Sequence, residues 1–411
     1  MVRLKPTEKQ LQFLDWELGL FIHFGIRTFY EGYQDWDHLE MDASAFNPTH
    51  LNCEQWIEAA VKGGAKYAIL TAKHHDGFAN WPTKYSDYSV KATPWKKGSG
   101  DVVREFVEAC AKFKVKVGLY YSPAEYTLVK SQWEATDYDN YFINQISELL
   151  TQYGVIELIW FDGCGSENHH YDWKRIIKVI RQLQPGIRIF NMGDPDIRWI
   201  GNELGLAPLD NWNEVDSVLF SIMTQQKAQL GSQKVWLPGE CDCRMREANW
   251  FYSENDEHTV KSLPELLGLY YYSVGRGANL LLNIGPNRQG LLPDPDVLQL
   301  LKLGDEINKR FSQPLASLKN FHREGNLYKY STSSAKLVNH VIIAENMVAG
   351  QSIRKFSLYS QGICLYEGKT VGHKVICSFP TLKINDLMMV IEESVGPYEI
   401  KELQLFYVKS Q

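Results

Sequence analysis

No apolar run in these 411 residues reaches 18 positions, so no membrane-spanning helix is expected. Basic blocks are missing too. The 43 basic and 49 acidic residues are interspersed and leave a net charge of −6, which offers nucleic acid no footprint. The opening MVRLKPTEKQLQFLDWE lacks the apolar centre of a secretion signal, so taken as given the protein is expected to be cytoplasmic. Cysteines number seven, an odd count, and without a signal they argue against a disulfide framework. Only Cys241 and Cys243 lie close, as C-x-C, and no second Cys or His pair stands nearby at ligand spacing. Buried free thiols are therefore expected there rather than zinc. No G-x-G-x-x-G follows the first apolar run, which speaks against a dinucleotide-binding sheet.

What is abundant is aromatic: 12 Trp and 22 Tyr. Such rings pair an apolar face with a polar edge, as sugars do with their C–H faces and hydroxyls. With 44% hydrophobic residues the chain can bury a large core and is long enough for two domains.

Near-continuous apolar runs alternate with amphipathic stretches, the pattern of a parallel sheet covered by helices. Strands are expected over 18–25, 65–73, 114–122, 155–163, 186–194, 234–242 and 278–286, with an eighth near VDSVLF at 215–220. Helices are expected over 51–64, 102–113, about 138–153, 171–184 and 262–275. A (β/α)8 barrel fits this order better than a doubly wound sheet. Polar residues recur at the expected C-terminal strand ends: His23, His74, His75, Tyr120, Asp162, Asn191 and Glu240. In a barrel these ends form one face, which carries the active site. After residue 315 or so, period-2 stretches such as KLVNHVIIAE and TLKINDLMMVIEE run without helices between them. They predict a β-sandwich over 315–411 behind a barrel domain at 1–314.

In LIWFDG, alternation puts Trp160 and Asp162 on one face of the strand. An acid at the mouth of a central strand is costly unless paired or used, and capping the next helix is the plainer alternative. In KHHDGF, two histidines at a strand end can both turn to a pocket. With His23, His169 and His170 they could ligate a metal; neutral, they could hydrogen-bond sugar hydroxyls. Glu203 in RWIGNELG and Glu240 in WLPGECDCR are the other acids flanked by tryptophan, glycine and proline. A retaining glycosidase needs two carboxyl groups about 5–5.5 Å apart, an inverting one roughly 6.5–9.5 Å.

Taken together and in order, GLFIHFG, QDW, GGAKYAILTAKHHDGFANWPTKYSDYSV, VGLYYS, LIWFDG, RWIGNELG, GECD-x-R-x-R followed by WFY, and NLLLNIGPNRQGLLP resemble the α-L-fucosidases of glycoside hydrolase family 29. The resemblance implies a (β/α)-barrel followed by a β-sandwich. It implies a fucosylated oligosaccharide or glycan as substrate, and neither cofactor nor metal. By motif it makes Asp162 the nucleophile of a covalent fucosyl-enzyme, and it places His23, His74, His75, Tyr120 and Trp160 around fucose. Asp35 and Trp36 stand where the family often has Glu-Trp, and Arg246 matches an arginine that contacts the nucleophile region. RWIGNELG resembles the branch acting on α-1,3/1,4-linked fucose, which implies Glu203 as acid/base, with Glu240 in reserve. A metal-dependent barrel amidohydrolase using His23, His74, His75 and Asp162 is the alternative, although strand one lacks His-x-His; a carbohydrate-binding protein with a degenerate site is a third reading. Self-association is left open.

Overall fold

The structure, a computed structural model, describes residues 4–32, 36–130, 133–218 and 230–409. Eight parallel strands make the barrel: β1 (Leu18–Ile22), β2 (Tyr67–Lys73), β3 (Lys116–Tyr121), β4 (Leu158–Phe161), β5 (Arg188–Phe190), β6 (Arg198–Trp199), and, past a two-stranded antiparallel ribbon of β7 (Glu214–Val218) and β8 (Leu230–Trp236), β9 (Gly239–Arg244) and β10 (Asn279–Asn283). Their order is β5-β4-β3-β2-β1-β10-β9-β6. One parallel bridge, Phe190 to Ile197, joins the two edges, so the barrel is nearly closed.

Strands that look uniformly apolar in sequence are sorted by the pleat. On β4, Leu158 and Trp160 join an interior cluster with Phe21, Tyr67, Tyr120, Phe190, Trp199 and Trp250. Ile159 and Phe161 face outward, into the layer shared with the helices. Short α1 (Glu8–Leu14), capped by Thr7, brings Phe13 to the interior cluster from below. Covering helices are α2 (Cys53–Lys62), α3 (Val102–Phe113), α5 (Ala135–Gln152, after the short α4 at Tyr126–Lys130), α6 (Trp173–Leu183), α7 (Leu263–Tyr272) and α8 (Asp294–Phe311). Among the described residues no helix follows β5 or β6.

Two expected strands need correction. The eighth barrel strand is β6, only two residues long, while Glu214–Val218 lies in the ribbon. The stretch 234–242 is two strands, because Pro238 cannot donate to a ladder and separates β8 from β9. All seven cysteines are free; Cys241 and Cys243 are buried on the face of β9 opposite Glu240 and Asp242.

The remaining strands, β11 (His322–Glu324), β12 (Leu327–Glu345), β13 (Ile353–Ser360), β14 (Ile363–Gly368), β15 (Val375–Ser394) and β16 (Ile400–Phe406), are antiparallel. The long β12 and β15 change register at bulges, and one core holds Tyr328, Phe356, Leu387 and Met389 together with Val341, Cys377 and Leu403. The result is a β-sandwich behind the barrel.

Candidate active site

Asp162 directly follows β4, and its side chain is only 14% exposed. Tyr120 Oη donates to its Oδ2 at 2.7 Å, the Cys164 amide donates to Oδ1 at 2.9 Å, and His75 Nε2 lies 3.5 Å from Oδ2. Burial opposes its charge, but His75 and these hydrogen bonds hold its pKa below the ordinary value of 3.8. The side chain is therefore an ionised, held carboxylate, neither a helix cap nor an arginine partner.

Around it the pocket is lined by Phe21, His23, His74, Tyr120, Trp160, Cys164, Trp199, Glu203, Asp242 and Trp250, enclosing about 520 Å³ with its open mouth included. His74 and His75 follow the last residue of β2 and diverge. His74 stacks on Tyr120 with ring centroids 5.2 Å apart, while His75 donates or accepts at Ser122 Oγ, 2.6 Å away, and faces Asp162. His23 pairs through Nδ1 with Asn283 Oδ1 at 2.7 Å. Burial pulls its pKa to about 3 against the pull of Asn283 and Asp162, and burial beside His75 and His23 holds His74 well below 6.5. Both rings are neutral and can donate or accept.

Trp36 flanks the site by stacking on His75 at 4.9 Å and donating from Nε1 to Cys164 Sγ at 3.1 Å. Its own φ of 56° is unusual for a tryptophan. Gly165 is what lets it in: a Cβ there would meet the indole at 1.8 Å. Arg27 anchors the same loop through Asp37. Asp35 lies outside the described residues.

Glu203, on the loop after β6, is 48% exposed at the mouth, with Arg244 Nη1 3.7 Å away. The other expected acid, Glu240, is not brought to the pocket. It is the second residue of β9, fully buried, and its oxygens accept from Tyr67 Oη at 2.6 Å and Trp160 Nε1 at 2.9 Å. It supports Trp160 from below. Arg246 is also elsewhere: it is buried against Asp256 and Asp296 at 3.0 and 2.8 Å. The arginine near the pocket is Arg244, over the Trp250 ring at 5.2 Å. Alternation in GECDCR, which sets Glu240, Asp242 and Arg244 on one face, was the available signal for Asp242 and Arg244. His169, a conceivable ligand in sequence, pairs with Asp139 at 3.0 Å. His74, His75 and Asp162 each offer a ligand atom within 4.8 Å of the others, the group among the described residues that could hold a cation.

Burial pushes Glu240 from 4.5 to about 7, against its two hydrogen bonds. A carboxyl whose folded-state pKa is raised gives stability that is complete below 4.5 and is lost as pH rises through about 7. The span corresponds to at most on the order of 3 kcal/mol. Melting temperatures of wild type should therefore fall between pH ~5 and ~8 relative to Glu240→Gln, which cannot ionise. Parallel curves for the two proteins would contradict this.

The α-L-fucosidase family model matches residues 3–310. The chain belongs to the α-L-fucosidase family. It is 37% identical over 329 residues to alpha-L-fucosidase 1 of Arabidopsis thaliana, a match covering 76% of this chain and 62% of the plant protein. It thus spans less than two thirds of that relative's length. Among solved structures, a glycoside hydrolase 29 family member from an unknown rumen bacterium superposes with a TM-score of 0.89 at 32% identity, covering 100% of this chain and 78% of that one. A Ruminococcus gnavus GH29 fucosidase in complex with fucose gives 0.83 at 25% identity, covering 99% and 95%. Barrel and sandwich alike are those of fucosidases.

Proposed function

We propose that this protein is a retaining α-L-fucosidase that removes terminal α-linked fucose from oligosaccharides or glycans. The observation that carries the proposal is Asp162, ionised and held by Tyr120 and His75, in a pocket that also bears Glu203 at its mouth. In this reading Asp162 Oδ attacks the anomeric carbon while Glu203 gives its proton to the departing glycosidic oxygen. Glu203, now a carboxylate, takes a proton from water. The water oxygen displaces Asp162 and releases fucose with its original configuration. Neutral His23 and His74 suit the sugar hydroxyls, and Phe21 and Trp250 suit its methyl group. The fucose complex of the Ruminococcus gnavus neighbour supports the choice of sugar. The RWIGNELG segment supports a preference for α-1,3/1,4 linkages.

Proton NMR during the first turnovers tests the mechanism. The α-anomer of L-fucose should form first and then mutarotate; an initial β-anomer would mean inversion and remove the nucleophile's role.

The 4.8 Å grouping of His74, His75 and Asp162 is the observation that favours a metal-dependent hydrolase instead. In the fucosidase reading His75 serves Asp162 as a hydrogen-bond and charge partner. Activity should then survive exhaustive dialysis against a chelator undiminished. Loss of activity restored by zinc would assign these three side chains to a metal.

A further inference from the structure

We infer that Asp242 is a positioning residue for Glu203, clamping both ends of the loop that carries it. The inference rests on the reading of Glu203 as acid/base.

That loop leaves β6 at Trp199 and returns at Gly205. At its start, Trp199 Nε1 donates to Asp242 Oδ1 at 2.7 Å, a buried bond. At its end, the Gly205 amide donates to the Asp242 carbonyl at 3.1 Å. Leu204 forms a bridge to Cys243, and the left-handed Gly205 (φ 72°) sits so close that a Cβ would meet Cys243 Sγ at 2.9 Å. Three residues separate Trp199 from Glu203, and the Ile200 amide also donates to the Glu240 carbonyl at 3.0 Å, so losing the indole's bond loosens the side-chain anchor at this end of the loop while the backbone tie remains. Its backbone side is tied to β9 whatever the side chain of Asp242 is; the side-chain clamp is the part a substitution can remove.

Chemistry favours an acid here that stays uncharged. Burial, against the Trp199 hydrogen bond and reinforced by nearby Glu203 and Glu240, pushes Asp242 well above the ordinary carboxyl range. A neutral acid still accepts from the indole, and it adds no negative charge beside Glu203 while that residue cycles between acid and base. Asn keeps the acceptor; Leu fills similar space without it.

The test uses the full chain and two substrates, an aryl α-L-fucoside with a good leaving group and a fucosyl disaccharide. The ratio kcat/KM reports the first displacement only, which needs a proton for the disaccharide but hardly for the aryl fucoside. For Asp242→Leu, kcat/KM should fall about 100-fold on the disaccharide and less than about 10-fold on the aryl fucoside. Asp242→Asn should recover at least about ten-fold of the disaccharide loss, and Trp199→Phe should show the same substrate-dependent loss in weaker form. Equal losses on both substrates would make Asp242 merely structural, and a raised KM on both with kcat intact would make it a direct sugar contact; either overturns the inference, as does no loss. If Asp242→Leu does not fold, the Trp199→Phe substrate ratio decides. Wild type inactive on both substrates would instead defeat the fucosidase reading itself.

Discussion

Asp162→Asn should lower kcat on α-L-fucosides by about 10³-fold or more, with the protein still folded. Asparagine has the size of aspartate and keeps an oxygen for the Cys164 amide, while its amide group can donate to Tyr120 Oη, whose oxygen now accepts. His75 and the hydrogen bonds outweigh burial in favouring the charge, so its loss should lower the melting temperature somewhat while the fold persists. What it cannot do is form the glycosyl ester. A variant that kept more than about a tenth of wild-type kcat would show that Asp162 is not the nucleophile.

Glu203→Ala should split according to leaving group. With an aryl fucoside, kcat/KM should change by less than about 10-fold; with a fucosylated oligosaccharide it should fall by about 10²-fold or more. The second step slows for both, because water loses its base. Azide needs no base, so it should raise kcat on the aryl substrate and yield fucosyl azide. Glu240→Ala should show no azide rescue, since Glu240 lies under Trp160 with both oxygens engaged. Rescue of Glu240→Ala but not of Glu203→Ala would exchange the two acids and undo the branch resemblance drawn from RWIGNELG.

Much of this architecture can be read from the chain because its strands carry their chemistry at their ends. LIWFDG announces both a buried strand and the acid leaving it, and AILTAKHHDG does the same for two histidines. Where reading failed, the cause is local. β6 holds two residues, too short to show any period. VDSVLF has the apolar content of a strand, and Glu214–Val218 is one, but nothing in its composition says that its partner is antiparallel β8 rather than the barrel. In KVWLPGECD the proline was the missed punctuation. Reading one strand puts Glu240 near its exit; breaking it at Pro238 puts Glu240 at the entrance of β9, beneath the pocket floor. The same break moves the pocket-facing positions to Asp242 and Arg244, and leaves Arg246 past the strand, where Asp256 and Asp296 claim it. Trp199 and Trp250 were visible only as members of motifs. Their place in the pocket wall follows from tertiary packing that no local pattern encodes.

The most direct test of the account is to trap its intermediate. A fucosyl fluoride bearing fluorine at C2 forms the glycosyl-enzyme faster than water removes it, since the electron-poor sugar resists the second displacement and fluoride leaves readily. Peptide mass mapping after incubation should find one fucosyl adduct per chain, on the peptide carrying Asp162, with activity lost in proportion and regained as the adduct turns over. An adduct on any other carboxylate, or full activity in the presence of the reagent with no adduct at all, would contradict it.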